Sequence, residues 1–377
     1  MERRKFLQLG AGVAVCGTAG VLRPDGNSFD CQPAAVPPAF SIVPVVGDGK
    51  WIWNQPPKNE TGYLEPRPFH LKIGIELNGR GGASQIQATT PAPIEVPEQK
   101  LEEPAIKTDG CQATIRDVGP DASQLYLTAD EIAPGQKISA SVEYRLTAYK
   151  QYMGYVRDQF PRQQKPPRDV ANLYLGDSPG IQTRIKEVRL LLDELRGDTQ
   201  HPWDLAKKFA DWIPHHIKPQ VRPYTSVTAA LDDRQGACAE MSAVFVALCR
   251  AAGIPARLVW VPDHNWAEFY LIDEQGEGHW IPAHTACYFW FGWTGAHELV
   301  LQKGDRLRMP ERGNRLFRLQ EDWLRCSGRK PQVRYIAELT PLPASTGADP
   351  GPGARTKMAN GEWKVVGKHP LDQYLRR

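Results

Sequence analysis

The seven cysteines of this 377-residue chain form no CxxC pair. Cys16, Cys31, Cys111, Cys238, Cys249, Cys287 and Cys326 are scattered, so neither a zinc site nor a disulfide framework is signalled. One long-range bridge could form in an oxidising compartment. An excess of charge of one sign is also missing. With 46 basic and 43 acidic side chains the net charge is +3, too little to supply the concentrated basic surface that nucleic acid requires. The basic stretch from Arg306 to Arg318 reads as a solvated face. No apolar run reaches the roughly 20 residues that span a bilayer, and there is no internal repeat. What is present is ordinary for a globular protein: 41% hydrophobic and 24% charged residues. That composition supports a packed core, and the length allows two or three domains.

The first segment is distinctive. Arg3-Arg4-Lys5-Phe6-Leu7 precedes a short stretch of apolar and small residues from Leu9 to Leu22, the layout of an export signal. It resembles the twin-arginine signal, Ser/Thr-Arg-Arg-x-Phe-Leu-Lys, with Glu2 and Gln8 departing at the flanks. The resemblance implies export to the periplasm or cell envelope, with any membrane association made through this segment alone. Residues 1–30 are assigned to it, and the proline- and glycine-rich residues 31–66 to a linker.

Alternation then takes over. His70 to Leu77 changes between polar and apolar with period two, as a half-buried strand does, and Gln124 to Leu127 and Ile138 to Leu146 are similar. These runs predict a small β-sandwich over residues 67–160. Helical spacing begins after Ser178-Pro179, read as a cap and first turn, with Ile181, Ile185, Val188, Leu192 and Leu195 on one face and Gly197 as the stop. A second helix is expected from Trp203 to Ile213, closed by Pro214, and a third from about Cys238 to Gly253. Three strands follow, Arg257 to Val261, Trp266 to Ile272 and His279 to Pro282. Helices followed by antiparallel strands give an α+β unit, assigned to residues 165–340. Residues 341–377 read as a flexible tail.

The chemistry concentrates in two places. In Gly236-Ala237-Cys238-Ala239-Glu240 a cysteine opens a helix. The backbone N–H groups and dipole there favour a thiolate, and Gly236 lets the chain turn sharply. Taken alone, a buried inert cysteine is the commoner outcome. In Asp263-His264-Asn265-Trp266-Ala267-Glu268 a histidine enters a strand. A cysteine nucleophile needs such a base, since a free thiol is only slightly ionised at neutral pH.

Together with Arg250-Ala251-Ala252-Gly253-Ile254-Pro255-Ala256-Arg257, these elements resemble the transglutaminase-like superfamily: Gly-x-Cys, a helix ending in Arg-Ala-x-Gly-Ile-Pro-Ala-Arg, then His-x-Trp-x-Glu. The resemblance covers roughly residues 180–300. It implies a papain-like α+β core with Cys238 as nucleophile and His264 as base, acting on amide or peptide bonds of a protein or peptide through a thioester. Water as acceptor gives hydrolysis, the favoured reading. An amine gives cross-linking, and a degenerate binding module is the remaining alternative. No cofactor or metal is implied. Where the family places an aspartate, Trp280-Ile281-Pro282-Ala283-His284 puts His284. A neutral imidazole can orient His264 but cannot balance its charge, so Asp263, Asp305 and Glu298 stay open as the acid. Arg257 and Glu268 read as a buried ion pair and Trp266 as packing. His279, His284 and Cys287 match no standard zinc spacing. The aromatic run Tyr288 to Trp293 reads as core, or as a groove lining beside the site.

Overall fold

The computed structural model describes residues 55–343, apart from 221–222, 263, 287–289 and 314, together with two short strands at Arg355–Lys357 and Trp363–Val365. The export-signal assignment at residues 1–30 lies outside the described residues. In chain order the first strands are β1 (Glu60–Asn78), β2 (Ala83–Ala92), β3 (Gln99–Leu101), β4 (Ala105–Asp109), β5 (Gln112–Gly119), β6 (Ala122–Ile132) and β7 (Lys137–Tyr152). Helices α1 (Arg168–Tyr174), α2 (Lys186–Arg196) and α3 (Pro202–His216) follow. Next come β8 (Lys218–Pro219), α4 (Val227–Asp233), β9 (Gln235–Gly236) and α5 (Cys238–Ala251). The remaining strands include β10 (Ala256–Val261), β11 (His264–Ile272), β12 (Gly278–Ala283), β13 (Trp293–Thr294) and β14 (Gln302–Lys303). The last are β15 (Leu307–Arg308), β16 (Leu316–Phe317), β17 (Trp323–Gly328) and β18 (Gln332–Pro341).

The sandwich forms as the alternation dictates. Leu71, Ile73, Ile75 and Leu77 of β1 meet Tyr144, Val142, Ala140 and Ile138 of β7 in register, and all point inward. Ile86, Ala88, Leu125 and Leu127 from β2 and β6 close the core from the facing sheet. Each fully buried Leu or Ile contributes roughly 2 kcal/mol. The strand starts earlier than the linker assignment allowed. β1 begins at Glu60 and absorbs Pro66 in a bulge between Leu64 and Arg67, where Glu65 adopts φ 51°. A proline has no N–H to give a ladder, so a bulge accommodates it.

Two strands from far along the chain complete the sandwich. β18 pairs with β1 along its length, and β17 pairs with β2. Residues 323–341 were grouped above with the α+β unit and belong by pairing to the sandwich sheets. The sheet of β17, β2 and β6 continues without a break through β14 into β10, β11 and β12. The short strand Arg355–Lys357 pairs with Glu60 and Thr61 at the start of β1, within the segment read above as a flexible tail.

The α+β unit is organised around α5. This helix is apolar on every side, and Met241 to Cys249 are all buried, the pattern of a central helix. Helices α2, α3 and α4 pack around it, and Ala267, Phe269 and Leu271 of β11 face it from the sheet. Gly253 ends it with φ 84°. Two boundaries differ from the sequence reading. Ser178 and Ile181 form a bridged turn, and α2 opens only at Lys186. α3 carries Pro214 inside its last turn and runs on to His216, whose ring stacks on Trp212 at 4.4 Å. Among the described residues no helix is long and apolar enough to cross a membrane.

Candidate active site

Cys238 is the first residue of α5, where the helix N–H groups have no partner of their own within the helix. The carboxylate of Glu240, fully buried, holds the entry: Oε2 accepts from the Ala237 N–H at 3.0 Å and Oε1 from the Thr225 N–H at 3.1 Å. Gly236 is required beside it. A Cβ on Gly236 would lie 2.7 Å from the Glu240 Cβ. The fold thus presents Cys238 at a pinned helix start, half-buried against the core. Cys249, three turns further into α5, makes the contrast: it is wholly buried, and burial pushes its thiol well above the ordinary range.

Asn265 reaches the sulfur, its Nδ2 donating to Cys238 Sγ at 3.9 Å. Ser242, one turn along α5, donates to the Asn265 carbonyl at 3.5 Å. The sequence reading passed over Asn265. Period-two alternation along β11 was the signal available, since it puts 265, 267, 269 and 271 on the side facing α5.

His264 opens β11, opposite Val261 of β10. The pairing of Ala267 with Ala283 brings His284 level with Trp266, so His264, Trp266 and His284 share a face. The rings of His264 and His284 lie 6.3 Å apart and nearly parallel, and His284 stacks on Trp266 at 4.9 Å. Thr294 holds the His284 ring, with its Oγ1 3.0 Å from Nε2, and the His284 N–H donates to the Trp290 carbonyl at 2.7 Å. Burial lowers His264 from 6.5 to about 4. Burial and the neighbouring His264 press His284 well below its ordinary value. Both rings are therefore neutral at pH 7. His284 thus places a neutral ring, with no negative charge, beside His264.

Of the carboxylates held open as the acid, Asp305 is committed elsewhere. It forms a fully buried pair with Arg250, 2.8 Å between Nη2 and Oδ2. Asp263 lies outside the described residues. Glu298 lines a small cavity with Trp266 and Thr294, next to the His284 contacts, and burial pushes its carboxyl up to about 7. The expected pair of Arg257 and Glu268 is present at 2.8 Å and is part of a larger buried network. Lys303 binds Glu268 at 2.7 Å and Glu98 at 2.5 Å, and Arg257 also reaches Asp121 at 2.9 Å. Glu98 and Asp121 come from the sandwich half, so the network fastens it to β11. Trp266 packs against Ile94, Val259 and Val300, as expected. His279 and His284 sit at opposite ends of β12, roughly 17 Å apart along an extended strand, and His279 Nε2 pairs with Asp273 Oδ2 at 2.7 Å. Cys287 lies outside the described residues, and among those described no cluster could hold a metal ion. Trp290 and Trp293 pack with Leu64 and Ala296, while Phe291 packs on Trp203 and Phe269.

A pinned helix opening on cysteine, packed on a sheet whose second following strand opens on histidine, is a recognisable arrangement. Residues 189–285 match the family model of the transglutaminase-like superfamily. The chain carries a transglutaminase-like domain. The likeness in fold extends further than that match. A solved structure of a "putative cysteine protease" from Cytophaga hutchinsonii aligns with a TM-score of 0.51 at 15% identity, covering 76% of this chain and 93% of that one. A "putative protease" from Parabacteroides distasonis aligns with a TM-score of 0.24 at 13% identity, covering 58% of this chain and 43% of that one. No curated protein matches the sequence. The matched residues lie in an α+β core that one continuous sheet joins to a β-rich sandwich.

Proposed function

We propose that this chain is a thiol-dependent enzyme that cleaves amide or peptide bonds through a thioester on Cys238. The observation carrying this reading is Cys238 at the pinned start of α5, beside the strand that begins with His264. In the proposed cycle the neutral His264 imidazole takes the thiol proton, and the sulfur attacks the amide carbonyl carbon. The carbonyl π electrons move to oxygen, and the Cys238 N–H faces the resulting oxyanion. One such donor is worth ~3 kcal/mol. The C–N bond then breaks, its electron pair leaves with nitrogen, and His264 returns the proton to the amine. Water, deprotonated by His264, attacks the thioester and releases the acid and the thiol. His284, held by Thr294, orients the imidazole.

A second reading, a binding module that kept the fold, is favoured by the neutral His284 at the acid position. Iodoacetamide alkylation across pH separates the two. The enzyme reading expects Cys238 to react faster than a small thiol near pH 7, and Cys238→Ala to abolish turnover of a fluorogenic peptide library. Ordinary reactivity together with turnover unaffected by Cys238→Ala would overturn it. Adding a primary amine to the same assay distinguishes transfer from hydrolysis. We further propose that the enzyme acts outside the cytoplasm, on the strength of Arg3-Arg4-Lys5-Phe6-Leu7. Fusing residues 1–30 to a reporter and replacing Arg3 and Arg4 by lysine should block export.

A further inference from the structure

We propose that Asn265 is a further catalytic residue, whose carboxamide hydrogen-bonds the Cys238 sulfur through Nδ2 and offers Oδ1 to an N–H group of the bound substrate. The inference rests on the thioester reading above and adds to it a substrate class, amides that still carry a hydrogen on nitrogen.

Three observations meet at this side chain. Nδ2 lies 3.9 Å from Sγ, within reach of a sulfur acceptor, so it touches the reacting atom. The side chain is almost entirely enclosed, with 2% of the residue exposed. Its Oδ1 is buried with no hydrogen-bond partner among the described residues. Most buried polar atoms are paired, so one left open beside a candidate nucleophile needs a reason. A carboxamide has both functions in one rigid plane: two N–H donors at one end and an acceptor at the other. The end facing sulfur stabilises the thiolate over the thiol, because a hydrogen bond to the charged form favours it. The other end has no donor among the described residues, and the N–H of a peptide bond would supply one. Ser242 holds the Asn265 backbone against α5, and β11 pairs on both sides, with β10 and β12. The carboxamide is thus carried on a rigid element.

The test is the pH profile of Cys238 alkylation in the full chain, for wild type, Asn265→Asp and Asn265→Ser. Asn265→Asp keeps the shape but puts a carboxylate against the sulfur. Its thiol pKa should rise by about 1–2 units, about a 10- to 100-fold loss of thiolate at a fixed pH below it. Asn265→Ser should give a smaller rise. Turnover of peptide substrates should fall about 10- to 100-fold through kcat, with KM little changed in Asn265→Asp. N-alkylated peptides, which lack the hydrogen, should be poor substrates of the wild type and no worse for the Asn265 variants. If Cys238 keeps its wild-type profile in both variants, the proposal is overturned while the thioester reading stands. If Cys238 has no enhanced reactivity in the wild type, the thioester reading itself fails. A measurement on the unaltered protein guards against variants that do not fold. With 15N-labelled asparagine, the Asn265 side-chain amide resonance should shift with the Cys238 titration and vanish from that position on alkylation. A resonance indifferent to both would also overturn the proposal.

Discussion

Replacing His264 by glutamine removes a ring that has to be uncharged to occupy its place. Burial lowers its pKa from 6.5 to about 4, which at 1.36 kcal/mol per unit corresponds to about 3 kcal/mol. The residue as a whole is only half-buried, so solvent screening reduces this to about 2 kcal/mol. The sign follows from proton uptake. Between pH 6.5 and 4 the unfolded chain binds a proton at this histidine and the folded chain does not. The stability it contributes is complete above pH 6.5 and is lost as pH falls through that window. Glu298 and Asp322 act in the opposite sense, since both are raised to about 7 and their protonation on acidification favours the fold. The absolute profile is therefore flattened, and the difference between wild type and His264→Gln is the informative quantity. Urea unfolding followed by tryptophan fluorescence at pH 7.5, 6.0, 5.0 and 4.0 measures it. Wild type should lose about 2 kcal/mol relative to the variant across the series. A gap that stays constant from pH 7.5 to 4.0 would refute the claim that His264 is held neutral by burial.

Arg250→Met leaves Asp305 buried without its cation and should cost roughly 3–5 kcal/mol in denaturant unfolding. Adding Asp305→Leu should recover part of that and no more, because Arg250 also donates to the carbonyls of Ala256 and Gly176. Asp322→Asn should stabilise the protein at pH 8 by about 1–2 kcal/mol, since its carboxyl is raised to about 7 and an amide oxygen can keep the Thr90 bond at 2.6 Å. Thermal unfolding at pH 4.5 should show that advantage almost gone. Gly236→Ala drives a methyl into the Glu240 side chain, 2.7 Å from its Cβ. It should lower stability by about 1–3 kcal/mol and slow Cys238 alkylation.

The core of the α+β unit could be read from the sequence because its signals are local. α5 is bounded by Gly236 and Gly253 and filled with apolar residues, and β10 to β12 are short alternating runs joined by tight turns. Arg257 met Glu268, the pair that the motif residues suggested. Other features depend on distant partners. Nothing near residue 335 says that Tyr335 pairs with Ile75. Pro66 and Pro68 hid the first third of β1, because a bulge that tolerates proline has no local signature. Asn265 was overlooked because the motif around it draws attention to His264 and Trp266, while the contact that singles it out is with a residue 27 positions away.

The pairing of β18 with β1 joins residues such as His70 and Thr340. During synthesis, β1 must wait for almost the whole chain before its outer edge is covered. A nascent chain that has emerged only to β16 has the α+β core complete in sequence but leaves two strands of the sandwich open to any neighbouring strand. Folding of the sandwich should therefore be slow, dominated by contacts distant in sequence. Stop codons or proteolytic cuts near residue 320 should yield aggregates rather than a trimmed enzyme.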